Sequence, residues 1–152
     1  MVRVCYELAD KWESRTVTGG NNSSAFEPSE SDIASWSANQ SVVFLERVQN
    51  FKKPLSPVEI ELMGLKYGYA SSRNVELVSR YFVVGLKAKA QAVYEPTAEL
   101  LGRVGRMKFV RPLFRGLNEC DRELALETFE KNKKFYHPIC RAMIEKDLFG
   151  EK

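Results

Sequence analysis

Histidine is almost missing from this chain: of its 152 residues only His137 carries an imidazole. No H-E-x-x-H pair can therefore be written, and a histidine-based triad would have to be built around His137, with no nucleophile placed beside it. His137 and Cys140 stand three residues apart on a helix, but two ligands do not close a zinc site, and a histidine next to Pro138 serves more naturally as a cap or packing residue. The three cysteines, Cys5, Cys120 and Cys140, are odd in number and show no C-x-x-C spacing. They point to small buried thiols in a reducing compartment, not to a disulfide frame or zinc ribbon. No apolar run approaches the roughly 20 residues of a membrane span, and the start has no signal-peptide pattern, so a cytoplasmic location without membrane contact is expected. Glycine-rich phosphate loops, a G-x-S-x-G elbow and sustained strand alternation are absent as well.

What is present suits one helical domain over 1–152, long enough to bury about 70% of its unfolded surface. Hydrophobic residues make up 44% and charged residues 28%, ordinary values for a globular protein. The net charge of +3 is too small to argue for nucleic acid, and none is expected as a partner. Its distribution is uneven. Residues 1–50 hold seven acids and four bases, whereas 85–115 hold seven bases and two acids, a local patch suited to an anionic ligand or partner. The helical entry at Val2 suggests a piece of something longer.

Helix signals recur along the chain. Val4, Cys5, Leu8 and Trp12 form an apolar face over about 2–13, and Gly19, Gly20, Asn21, Asn22 and Pro28 predict a mobile loop at 14–31. Ser37 with Gln40 makes a capping box before Val42, Val43, Leu45 and Val48. Ser56-Pro57 starts a helix through Ile60, Leu62, Met63 and Leu65 that ends at Tyr67-Gly68. Asn74 opens another, rich in apolar residues and so central; Pro96 begins the next, ending at Gly105. Asp121 or a neighbour caps a helix to about Phe135, and His137-Pro138 starts the last, with Ile139, Ala142, Met143 and Leu148 as its face. The acidic pairs Glu59/Glu61 and Asp121/Glu123 sit at helix starts, where the macrodipole and capping account for them. The fold class is all-α, with seven to nine short helices. Loosely alike glycine-punctuated pairs, Glu61–Gly64 beside Glu99–Gly102, favour an irregular α-α superhelix, an armadillo- or HEAT-like right-handed solenoid, over a four-helix bundle.

One stretch stands apart: Gly105-Arg106-Met107-Lys108-Phe109-Val110-Arg111-Pro112-Leu113-Phe114-Arg115. If a helix starts after Gly105, Arg106 and Lys108 lie in its first turn, where cations oppose the macrodipole at a cost of a few tenths of a kcal/mol each. The same end attracts anions, and an arginine fork with a movable lysine strengthens such a site. Pro112 withholds an N–H from the Lys108 carbonyl and should kink the helix. Spacing alone leaves two readings open, a solvated basic face with a tolerated proline or an anion site.

At these residues the sequence resembles the C-terminal helical domain of the leukotriene A(4) hydrolase and aminopeptidase B family of zinc aminopeptidases. The resemblance extends to Phe135-Tyr136-His137-Pro138, to Lys146-Asp147-Leu148, and to Asp32-Ile33, Ser37, Gln40, Phe44-Leu45 and Pro54-Leu55. It implies a parent enzyme whose H-E-x-x-H zinc site lies in a separate catalytic domain, with zinc in that parent and none on this chain. It implies that this chain closes one side of the cleft, where Arg106 anchors the free carboxylate of a peptide or fatty-acid-epoxide substrate and Lys108 is the auxiliary cation. Arg111 and Arg115 are left to solvent and packing, no catalytic residue falls in this chain, and the chain alone is expected to be inactive. The rival from another class is a stand-alone α-solenoid that docks a protein partner through the basic 85–115 patch.

Overall fold

The computed structural model describes residues 2–17 and 28–150, and the side chains of these apart from 15–17. Among the described residues regular structure is helical throughout, with eight α-helices and short 3-10 turns. By its internal contacts the chain falls into two compact units, 1–90 and 91–152.

The first unit contains α1 (Val2–Val17), α2 (Ala38–Gln49), α3 (Pro57–Tyr67) and α4 (Val75–Lys87). Side-chain caps set the starts of the last three. The Ser37 hydroxyl accepts from the Gln40 N–H while the Gln40 side chain accepts from the Ser37 N–H, a complete capping box. Ser56 caps α3 ahead of Pro57, and Asn74 caps α4 through the Glu76 N–H. Gly68 ends α3 at φ 72°, a left-handed position that glycine adopts without strain.

Burial corrects the expected faces. In α1 the buried residues are Cys5, Leu8, Ala9 and Trp12, at i, i+3, i+4 and i+7, while Val4 is exposed. In α3 Leu65 is 77% exposed, and Ile60, Met63 and Tyr67 face inward. The aromatic centre of the unit is held by polar bonds as well as apolar area. Trp12 Nε1 donates to Tyr67 Oη over 3.1 Å, and Tyr67 Oη donates to Asp32 Oδ2 over 2.6 Å. Burial and the neighbouring carboxylate push the Tyr67 phenol far above its ordinary value, so it remains a donor at any working pH. Tyr81 Oη donates to the Ile60 carbonyl, and a β-carbon on Gly64 would lie 2.2 Å from the Tyr81 Oη. Only glycine fits there.

The expected loop at 14–31 falls partly outside the described residues, at 18–27. Of its flanks, residues 14–17 belong to α1 and Glu30–Asp32 form a 3-10 turn capped by Ser29 and Asp32.

The second unit contains α5 (Tyr94–Leu101), α6 (Met107–Cys120), α7 (Arg122–Asn132) and α8 (Pro138–Phe149). Helix α5 begins two residues before Pro96 and ends at Leu101, short of Gly105. Helix α6 packs on α5, α7 and α8. It buries Phe109, Val110, Leu113, Phe114 and Leu117, at i, i+1, i+4, i+5 and i+8. Five such side chains contribute about 10 kcal/mol of apolar burial. That exceeds the roughly 3 kcal/mol cost of an interior proline, which explains why α6 runs unbroken through Pro112. Helix α8 turns Cys140, Ile144 and Leu148 inward; Ile139, expected in the core, is 62% exposed.

Candidate carboxylate-binding site

The four cations around α6 separate into two pairs. Arg111 and Arg115 lie on the side of α6 facing α8. Arg111 makes two parallel bonds to Asp147, Nε to Oδ2 at 2.8 Å and a terminal nitrogen to Oδ1 at 2.9 Å. Arg115 Nε reaches the same Oδ2 at 3.3 Å. The Asp147 side chain is 11% exposed, and the Arg111 hydrogen bonds hold its carboxyl below the ordinary value. The same bond raises the Arg111 guanidinium. These two arginines are thus committed to a part-buried ion cluster that ties α6 to α8, a more specific role than solvent and packing. The sequence hid this because Arg111 and Asp147 are 36 residues apart, and no local spacing rule names such a partner.

Arg106 and Lys108 are arranged differently. Arg106 is the residue that starts α6, at φ −75° and ψ 127°, and its side chain makes no cap bond. Its carbonyl accepts from the Phe109 and Val110 N–H groups. The first turn of α6 contains no acidic residue of its own. Both side chains are exposed, and both approach the ring of buried Phe109: the Arg106 guanidinium carbon at 5.7 Å from its centroid and Lys108 Nζ at 5.4 Å. Cation–π attraction acts over about 6 Å, so one ring gathers two charges that would otherwise repel. The site therefore combines helix N–H groups, the positive end of the macrodipole and two cations.

The segment before Arg106 is held from several sides. The Tyr136 hydroxyl donates to the Leu101 carbonyl at the end of α5. The Cys140 thiol faces the Gly105 carbonyl at 3.8 Å. Burial raises both the Tyr136 phenol and the Cys140 thiol above their ordinary values, keeping each protonated as a donor. His137 caps α8, its Nδ1 accepting from the Ile139 N–H at 3.1 Å. Among the described residues, no group of three or more His, Cys, Asp or Glu side chains could hold a metal ion, and no helix is long and apolar enough to cross a membrane.

Several bases of the 85–115 segment have partners within their own unit. Lys87 Nζ donates to the Gln49 carbonyl, Arg103 lies 3.6 Å from Glu99, and Arg111 and Arg115 share Asp147.

An all-α chain with an arginine–x–lysine pair opening a buried helix now finds its family. The family model for the C-terminal part of leukotriene A4 hydrolase matches residues 36–148, and the chain belongs to that family. A leucine aminopeptidase 2 of Phaeosphaeria nodorum is 59% identical over 152 residues, all of this chain and 24% of the relative. A leukotriene A-4 hydrolase homolog of Botryotinia fuckeliana is 60% identical over 97% of this chain and 22% of its own length. The solved native leukotriene A4 hydrolase of Saccharomyces cerevisiae matches with a TM-score of 0.81 at 39% identity, covering 97% of this chain and 26% of that one. The chain thus spans about a quarter of the length of the relatives it matches.

Proposed function

We propose that this chain completes the substrate cleft of a leukotriene A4 hydrolase-like zinc aminopeptidase, and that Arg106 and Lys108 hold the free carboxylate of its peptide or fatty-acid-epoxide substrate. The observation that carries this reading is the placement of both cations at the start of α6, around the Phe109 ring and with no acid in that turn. A structural role would favour the opposite charge at a helix start. A helix start that attracts anions and presents an arginine fork suits a carboxylate ligand.

The guanidinium offers two parallel N–H donors to the two carboxylate oxygens, which fixes the orientation of the substrate end as well as its position. The lysine adds charge without a fixed angle. In a cleft closed off from water this anchor sets where the scissile bond lies, and positioning of that kind lowers a barrier by several kcal/mol. Zinc would supply Lewis-acid chemistry at the parent's H-E-x-x-H site. The part of this chain's Arg106 and Lys108 is to bind and orient. Isolated, the chain is expected to hydrolyse no peptide.

The test is Arg106→Ala in the full-length enzyme, assayed on one peptide as its free acid and as its amide. The kcat/KM for the acid should fall about 100-fold, the value of a lost charge-assisted hydrogen-bond pair, with a much smaller loss for the amide. Equal losses on both would overturn the anchor.

A further inference from the structure

Phe135 is 55% exposed, although the residue after it, Tyr136, is buried and bonded to the Leu101 carbonyl. Its ring lies against the segment that presents Arg106: a β-carbon placed on Gly105 would meet two Phe135 ring carbons at 3.7 and 3.8 Å. Several features fix the ring there. The 3-10 turn Lys133–Phe135 follows α7 directly, the Phe135 and Tyr136 ring centroids are 5.6 Å apart, and Cys140 faces the Gly105 carbonyl from the next helix. A half-exposed aromatic ring thus adjoins the residue before the proposed carboxylate anchor.

The carboxylate of a peptide is one carbon away from the side chain of its last residue. A ligand whose carboxylate is held at Arg106 therefore carries that side chain within a few ångströms of the anchor, and Phe135 is an exposed ring beside the residue that precedes that anchor. We infer that Phe135 forms an apolar wall that receives the side chain of the substrate's carboxy-terminal residue, favouring aromatic and large aliphatic residues over glycine at that position. The inference rests on the anchoring role of Arg106. Phe135 is a specificity residue in this account; it does not touch the reacting atoms.

The experiment uses the full-length enzyme and tripeptides that share their first two residues and end in Phe, Leu or Gly, each as free acid and as amide. Phe135→Ala should lower kcat/KM about 10-fold for the acids ending in Phe and Leu, mainly through KM, and leave the acid ending in Gly within about two-fold, as expected for a lost apolar contact. Phe135→Leu, which keeps apolar bulk, should restore most of the loss for the Leu-ending peptide and also guards against misfolding of the alanine variant. Uniform losses across the three endings, or no loss at all, would overturn the wall. Arg106→Ala run beside it separates the two readings. An acid-versus-amide effect without any Phe135 preference removes the wall alone, whereas no acid-versus-amide effect removes the anchor on which the wall depends.

Discussion

Two pairs of cations, two to nine residues apart on one helix, meet opposite surroundings. Arg111 and Arg115 converge on Asp147, whose carboxylate is largely shielded from water. Arg106 and Lys108 share an aromatic ring at a helix start that carries no acid. The difference lies in where each pair stands on the helix. For Arg111 and Arg115 an acid within the same unit neutralises the charge, so their charge serves the fold. The other pair sits at the helix start, where the macrodipole disfavours a cation and attracts an anion, and there we propose that it meets a ligand carboxylate.

Substitutions of graded effect separate the two pairs. Reversing the anchor, Arg106→Glu, should have the largest consequence: kcat/KM of the full-length enzyme for free-acid peptides should drop more than 100-fold, since the lost fork is joined by repulsion of the substrate carboxylate. Steady-state kinetics measures it, and circular dichroism should show unchanged helicity. Lys108→Ala should cost about 10-fold on the same substrates, because a point charge is lost but the bidentate geometry stays.

Next comes Asp147→Asn, which should lower the melting temperature by a few degrees and spare the preference for acid over amide peptides. Its pH dependence has a defined sign. The folded Asp147 carboxyl titrates below the unfolded one, so its stabilisation is complete above about pH 5 and is lost as pH falls through the depressed folded value. Thermal melts of wild type and Asp147→Asn should therefore differ most near neutrality and converge in acid. The smallest effect is expected from Arg115→Ala. Its side chain is 52% exposed and it holds Asp147 by a single contact, and half-exposed pairs contribute 0–1 kcal/mol. A change of more than about 3 °C would show that the cluster depends on Arg115 as much as on Arg111.

Helix starts were legible because capping is local chemistry. Ser37, Ser56, Asn74 and Asp121 each satisfy an N–H within three residues, so sequence spacing contains the whole interaction. Which face points inward was less legible. Val4, Leu65 and Ile139 fit an apolar stripe but are exposed, while Ala9 and Ile144 lie at the centre. A helix of three turns with apolar residues on two sides does not declare which side its neighbour covers. The candidate site divides in the same way. Its cations, its glycine entry and its proline could be read directly, and the family resemblance pointed to Arg106 and Lys108. The Asp147 cluster and the Phe135 ring were not readable, because each depends on residues about 30 or more positions away.

The division of labour along α6 is most directly tested by one paired measurement on the full-length enzyme, the acid-to-amide ratio of kcat/KM together with the melting temperature, for Arg106→Ala and Arg111→Ala. Arg106→Ala should collapse the ratio and leave the melting temperature within about 1 °C, while Arg111→Ala should lower the melting temperature and preserve the ratio. A ratio that survives Arg106→Ala, or that falls equally in both variants, would contradict the assignment of one pair to substrate and the other to the fold.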